Sequence, residues 1–324
     1  MVIDIRCRYL SKESFGYFAK SGYKLKPHEN AAAYIAMLAN AGIDAALSPV
    51  APNHGLKLGR FDLAPRIECN GQQATIQREW PHRFIGVAGI DPGEGISQSL
   101  ANIEHCFNIL GLKIVTMEPG RNDFLAPNPA DLRLYPIYSY LQEKELPIIL
   151  QTSGPKGGVS IDYANPRWID QIAHDFPALK IICAHGCFPF ARELACVIGR
   201  RSNVFASPDC YTFSDFSVWR SVAEDRPDQL IFASGYPFSG PLKYFILEYI
   251  AAPWNTKFID RIMYKNAICA LQLEEDEHFH ARLDMSDTLG LSERYHARFV
   301  LLKHFVRNKR FGKALALRKF WARG

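Results

Sequence analysis

Short apolar runs recur along this chain, and most are followed by a stretch whose apolar residues return at helical spacing. "VIDIR" (2–6) is the first run and "GIDAALS" (42–48) the second, after a helix predicted over 29–41 that stops at Gly42. "RFIGVAGID" (83–91), "LKIVTM" (112–117), "LPIILQ" (146–151) and "LKIICAH" (179–185) follow. Helices predicted over 96–110, over 131–145 and from the Asn165 cap with Pro166 at its first position lie between them. A helix over 189–199 leads to "NVFAS" (203–207), then comes "QLIFASG" (229–235), with helices predicted over 241–251 and 258–271.

Eight strands with helices between them over about 270 residues is the arithmetic of an α/β (β/α)8 TIM barrel. A doubly wound open sheet usually carries a Gly-rich loop after its first strand, and "RCRYLSKES" has none. The stretch from 49 to 82 reads as a long βα loop over the barrel mouth.

In such a barrel the chemistry sits at the C-terminal ends of the strands. Those ends supply Arg6 and Arg8, then Ser48, Asp91, Glu118, Gln151, His185, Asp209 and Gly235. Arg6 and Arg8 stand two residues apart, so an extended strand points both guanidiniums to one face and Cys7 to the other.

Composition adds little until charge is divided along the chain. The net charge is +5, yet residues 292–324 hold ten Lys or Arg and one acid, Glu293; that tail is +9 and the rest −4. The eight cysteines lack paired zinc spacing and read as buried free thiols of a reducing cytoplasm. No apolar run reaches eighteen residues, and the N-terminus lacks the pattern of a secretory signal, so a cytoplasmic protein is expected.

"DIRCR", "RFIGVAGIDP", "LYPIYSYLQEKELPIILQTSG", "DFPALKIICAHGC", "IFASGYPF" and "RIMYKNAICALQL" occur in order over residues 1–273. Together they resemble the successive blocks of the amidohydrolase-related barrels, in the subgroup of the aminocarboxymuconate-semialdehyde and resorcylate decarboxylases. That resemblance implies a divalent metal, usually zinc, held by a His-x-His pair ending strand one, a His ending strand five and an Asp ending strand eight. A further His ending strand six works on the substrate. Carried over by position, the metal ligands fall on Arg6, Arg8, Gln151 and Gly235, and the strand-six His on His185.

All four ligand positions have therefore changed. Zinc needs lone pairs from imidazole, thiolate or carboxylate. Arg has donors only and stays charged, Gln offers a neutral amide and Gly has no side chain. No metal and no other cofactor is expected at these positions; a site moved onto His185 and Cys187 is the exception to look for. Two readings of the Arg pair stay open. In one, Arg6 and Arg8 grip a substrate carboxylate or phosphate. In the other they pair with acids such as Glu118 or Asp209 and close a disused centre.

His185 titrates in the range suited to acid–base work, and Asp209 can orient it or pair with an Arg. We take His185 and Asp209 as the candidate catalytic residues, and Arg6, Arg8, Gln151 and Glu118 as the candidate substrate-binding set. Lys113 reads as a charge partner or packing residue. A Ser-His-Asp site from Ser153 or Ser234 is disfavoured, because no nucleophile elbow is present.

Beyond 273 a basic helical extension is predicted, with Ser292 as cap. Ala297, Val300, Leu301, His304 and Phe305 form one side, and Arg294, Arg298, Lys303, Arg307 and Arg310 lie mostly on the other. A second segment, 312–323, carries Leu315, Leu317, Phe320 and Trp321. The division expected is a barrel over 1–273 and a basic amphipathic tail over 274–324. The tail packs on the acidic barrel, meets a protein partner or meets an anionic membrane surface; no nucleic-acid motif is present. Two classes of function follow. One is a metal-independent hydrolase or lyase acting on a small anionic molecule. The other is a non-catalytic pseudoenzyme serving as a binding or scaffold module through its tail. Related barrels imply a homodimer.

Overall fold

In the computed structural model the described residues are all except 13–14, 16–24, 54, 59–60, 64, 67–68, 119, 121–127, 155–159, 286–288 and 323–324. The expected strands form a parallel barrel. β1 (Ile3–Asp4) pairs with β2 (Ala45–Leu47), and β2 with β5 (Phe84–Ile85). Then β6 (Ala88–Ile90), β7 (Val115–Met117), β8 (Ile148–Gln151), β9 (Ile181–Ala184) and β10 (Val204–Ser207) pair in sequence order. These strands are buried along their length, as parallel strands covered by helices must be.

Two strands depart from expectation. The third run breaks at Gly86 and Val87: β5 pairs with β2, and β6 turns to pair with β7. A Cβ at the neighbouring Gly89 would stand 2.2 Å from the Val50 carbonyl oxygen, so the loop leaving β2 crosses this strand where only glycine leaves room. The eighth run, 229–235, forms no continuous ladder. Ile231 N bonds Ala206 O at 2.9 Å on one side, and Arg8 N bonds Tyr236 O at 3.2 Å on the other. Between them the Asp4 carboxylate stands in for a strand: its Oδ1 accepts the amides of Arg6 (3.0 Å) and Ser234 (2.9 Å). Ile5 N also reaches Phe232 O at 3.5 Å, so the barrel closes through sparse backbone bonds reinforced by this buried side chain, which hydropathy cannot reveal.

The helices follow their caps. In α1 (Ala31–Ala41) the Asn30 side chain accepts from Ala33 N, and Gly42 ends it at φ 82°. The 49–82 loop is shorter than expected. It contains an antiparallel hairpin, β3 (Leu56–Leu58) with β4 (Phe61–Leu63), and the helix α2 (Asn70–Glu79). Outside the barrel lie α3 (Ile96–Asn108), α4 (Tyr135–Glu143), α5 (Pro166–Asp175) and α6 (Ala191–Arg200). α7 (Phe216–Asp225) was not anticipated, although Phe216, Trp219, Val222 and Ala223 are its buried stripe. α8 (Leu242–Ala251) and the short α9 (Asn266–Ala270) complete the barrel, and α10 (Glu277–Leu283) follows.

The tail forms α11 (Leu291–Arg307) and α12 (Phe311–Trp321). The cap is Gly290 rather than Ser292: the Glu293 side chain accepts from Gly290 N at 2.9 Å. Ala297, Leu301, Phe305, Ala314 and Trp321 form a small second core with Ala251 of α8. Arg294 and Arg298 lie on the packed side, not the outer one. Arg298 donates to the carbonyl of Ala251 at the end of α8, where helix carbonyls lack partners, and Arg294 to the carbonyl of Trp254 just beyond it. Arg323 lies outside the described residues.

Candidate functional site

The strand ends bring four of the six expected residues, Arg6, Gln151, His185 and Asp209, into one network at the barrel mouth. Arg6 donates from Nη2 to Gln151 Oε1 at 3.0 Å and from Nη1 to Asp209 Oδ2 at 3.4 Å. Behind Gln151, the Thr116 hydroxyl gives its proton to Ile149 O at 3.0 Å and so can only accept from Gln151 Nε2 at 3.1 Å. That chain turns the amide oxygen of Gln151 toward Arg6. Arg6 is 3% exposed, and its Nε has no hydrogen-bond partner among the described residues.

Asp209 is fully buried, with its Oδ2 2.9 Å and its Oδ1 3.2 Å from His185 Nδ1. A carboxylate only accepts, so Nδ1 carries the proton and Nε2 is left with its lone pair. Burial pushes the Asp209 carboxyl up, but His185 and Arg6 reverse this and hold it below its ordinary value. Burial, then the charge of Arg6, pushes His185 down, and Arg8 adds to the effect. The imidazole is therefore neutral at neutral pH. Its turn is tight: His185, Gly186 and Cys187 all take left-handed backbone, at φ 66°, 57° and 54°. For His and Cys that conformation costs free energy which the surrounding packing must offset.

Arg8 is 4% exposed and anchored through its backbone to Tyr236. Glu118 is buried and ion-paired with Arg66, a residue of the 49–69 segment that sequence reading passed over. Arg66 also donates to Ala51 O at 3.4 Å. A second group missed in sequence stands beside Arg8. His28 Nδ1 accepts from Leu10 N at 3.0 Å, so its Nε2 carries the proton and faces Tyr236 Oη at 3.4 Å; Tyr9 stacks on the ring. No pattern marks His28, because it sits between segments.

Other expectations resolve simply. Lys113 is exposed, ahead of β7. Ser234 Oγ accepts from Tyr236 N at 3.0 Å, and neither it nor Ser153 bonds His185 among the described residues. Cys187 is a buried free thiol and is not among the residues that gather potential ligand atoms with His185 in the described structure.

The residues at the family's metal positions do not fit a divalent cation. The Arg6 guanidinium already occupies the acceptors of Gln151 and Asp209. A Cβ at Gly235 would lie 3.1 Å from Cys210 N and 3.4 Å from the Asp209 Cβ, so the space of a strand-eight side chain is taken by strand seven. His185, Asp209 and Cys210 do place one ligand atom each within 4.8 Å of one another. Arg6, however, already holds Asp209 Oδ2 at 3.4 Å and would stand against a cation there.

A parallel barrel with polar groups gathered at its C-terminal mouth defines the (β/α)8 class. The chain matches the family model described as Amidohydrolase over residues 28–273 and belongs to that family. It is 29% identical over 133 residues to the 2-keto-4-carboxy-3-hexenedioate hydratase of Sphingobium sp. (strain NBRC 103272 / SYK-6), covering 36% of this chain and 39% of that protein. The match thus spans about two fifths of that relative's length. Among solved structures, an uncharacterized TIM-barrel protein of Bordetella bronchiseptica superposes with a TM-score of 0.70 at 24% identity, over 88% of this chain and 99% of that one. The 4-oxalomesaconate hydratase of Rhodopseudomonas palustris gives 0.61 at 16%, over 88% and 100%. The 2,6-dihydroxybenzoate decarboxylase of Rhizobium gives 0.61 at 14%, over 84% and 99%. These structural likenesses speak to the fold.

Proposed function

We propose that this chain is a metal-independent lyase or hydrolase acting on a small carboxylated compound. Arg6 and Arg8 hold the carboxylate, with Gln151 and Glu118 keeping the surrounding charge in place. His185 moves the proton through Nε2, and Asp209 orients it through Nδ1. The observation that carries this reading is the His185–Asp209 pair, set beside a guanidinium whose Nε–H has no partner among the described residues. A neutral imidazole with one nitrogen anchored is a competent base, and the Arg pair, net +1 with Asp209, supplies positive charge where a metal would. In hydration, Nε2 takes a proton from water as the water oxygen adds to one carbon of a conjugated C=C bond; the π pair moves to the conjugated carbonyl oxygen, and the imidazolium then returns the proton to the other carbon as that pair comes back. In decarboxylation, His185 first takes a proton from solvent at Nε2; the C–C bond to the carboxylate breaks, CO2 leaves, and the electron pair left on carbon takes that proton. The hydratases and decarboxylases among its likenesses carry carboxylated substrates in their names, which favours carboxylate over phosphate.

A second reading rests on the Arg6–Asp209 ion pair itself. It neutralises Arg6 internally, as a closed, non-catalytic centre requires. One experiment separates the two. Untagged protein is assayed for metal, then screened for thermal stabilisation by di- and tricarboxylates and by inorganic phosphate. Substoichiometric metal and stabilisation by a carboxylate that Arg6→Gln or Arg8→Gln abolishes is the expected result. Stoichiometric zinc overturns metal independence. Stabilisation equal in wild type and both variants, or none by any anion, overturns the anion site and leaves the closed centre.

A further inference from the structure

We propose that the outward side of α11 and α12 docks on an anionic membrane surface. Six of the ten exposed large apolar side chains among the described residues lie between 291 and 315. They are Leu291, Tyr295, Phe299 and Val306 on α11, and Phe311 and Leu315 on α12, from 50% exposed at Val306 to 65% at Phe299. At 3.6 residues per turn the four on α11 fall in one arc of about 80°, centred about 120° from the buried Ala297, Leu301 and Phe305. α11 therefore has two apolar sides: one covered by α8, the other facing water.

Charge selects the occupant. Lys303 and Arg307 border the exposed arc on its far side from the barrel, by the same helical geometry. On α12, Arg318 and Lys319 share the sector of Phe311 and Leu315. These four, with Lys309 and Arg310, form no ion pair among the described residues; Lys313, by contrast, is 3.0 Å from Glu248. The inner cations Arg294 and Arg298 donate to the carbonyls of Trp254 and Ala251, at and just beyond the end of α8. A second copy of the chain would bring this uncompensated charge against its own kind across a twofold interface. The apolar arc is the convex outer side of a helix, so it fits a surface that deforms around it. Aromatic and aliphatic anchors rimmed by Lys and Arg suit the headgroup level of an anionic bilayer, with the helices lying in its plane. Among the described residues no helix is long and apolar enough to span one.

The test is flotation of the full chain with vesicles of phosphatidylcholine alone and of phosphatidylcholine with about one third phosphatidylglycerol. Binding to the anionic vesicles only, lost in high salt, is expected. Phe299→Ser should weaken it about tenfold or more. Lys303→Gln with Arg307→Gln should weaken it about 25-fold, some fivefold for each charge. All these side chains are exposed, so unchanged thermal unfolding of the variants excludes misfolding as the cause. Failure to float with anionic vesicles, equal flotation with neutral ones, or variants that bind like wild type overturns the proposal. So does a wild-type dimer that Phe299→Ser splits, which would assign the surface to a second copy.

Discussion

Asp209 Oδ2 lies 2.9 Å from Nδ1 of His185 and 3.4 Å from Nη1 of Arg6, so one buried carboxylate serves two functional groups. Asp209→Ala leaves Arg6 with a neutral amide as its only other described partner. An uncompensated buried charge of this kind costs about 3–5 kcal/mol, which urea unfolding should show. Asp209→Asn keeps an acceptor and should cost the fold less. It removes the charge that holds the Nδ1 proton, so any turnover found should fall about 10²–10⁴-fold, the size of a typical acid–base contribution.

Two buried groups near Arg6 make stability depend on pH in opposite senses. His185 has a lowered pKa, from burial and then Arg6. The unfolded chain takes up that proton first, so the stability it contributes is present above its unfolded value of about 6.5 and lost as pH falls. Asp4 is raised by burial from 3.8 to about 6. Its contribution is full below 3.8 and lost as pH rises through about 6. Asp4→Asn keeps an oxygen for the amides of Arg6 and Ser234. Its stability relative to wild type should grow between about pH 4 and 7, toward about 3 kcal/mol. His185→Gln should flatten the loss below about pH 6.5 instead. Urea midpoints across pH check both; parallel curves for wild type and Asp4→Asn would refute the first.

The barrel was legible in sequence because each parallel strand is a short continuous apolar run, and strand ends then name the mouth residues. Arg6, Gln151, His185 and Asp209 were found by that rule and do meet. What pattern could not show was which group each would choose. Glu118 looked like a partner for Arg6 or Arg8, yet Arg66 reaches it from a segment with no periodicity. The eighth strand read as regular because its residues are apolar; its ladder is sparse and is reinforced by one side chain, Asp4, 230 residues away from Ser234 in sequence. In the tail, one apolar stripe was visible and the second was not. Hydropathy counts apolar positions without saying which of two stripes the neighbouring helix covers.

The covered stripe carries its own test. Leu301 is fully buried in the small core that joins α11 to α8, whereas Phe299, two residues away, is 65% exposed. Leu301→Ala should cost about 2–4 kcal/mol, and Phe299→Ala should stay within about 0.5 kcal/mol. If the two changes cost the same, the orientation of α11 on α8 is wrong, and with it the exposed surface argued above.

Gly235 stands where the family resemblance expects a metal-binding Asp, and its geometry explains why restoring that residue should not restore a metal. Its φ is 67°, and any Cβ would stand 3.1 Å from the Cys210 amide nitrogen and 3.2 Å from the Cys210 Cβ. Gly235→Ala should therefore destabilise by about 1–2 kcal/mol from backbone strain alone. Gly235→Asp adds a second carboxylate close to Asp209, and like charges in a buried site cannot both ionise freely. Placed with Arg6→His, Arg8→His and Gln151→His, it should give a protein that binds zinc weakly and unfolds more easily than the same triple variant with Gly235 kept. Zinc titration and urea unfolding of the two variants decide it. Tight zinc binding by the quadruple variant, without loss of stability, would show that the eighth segment can move to reopen the ligand position.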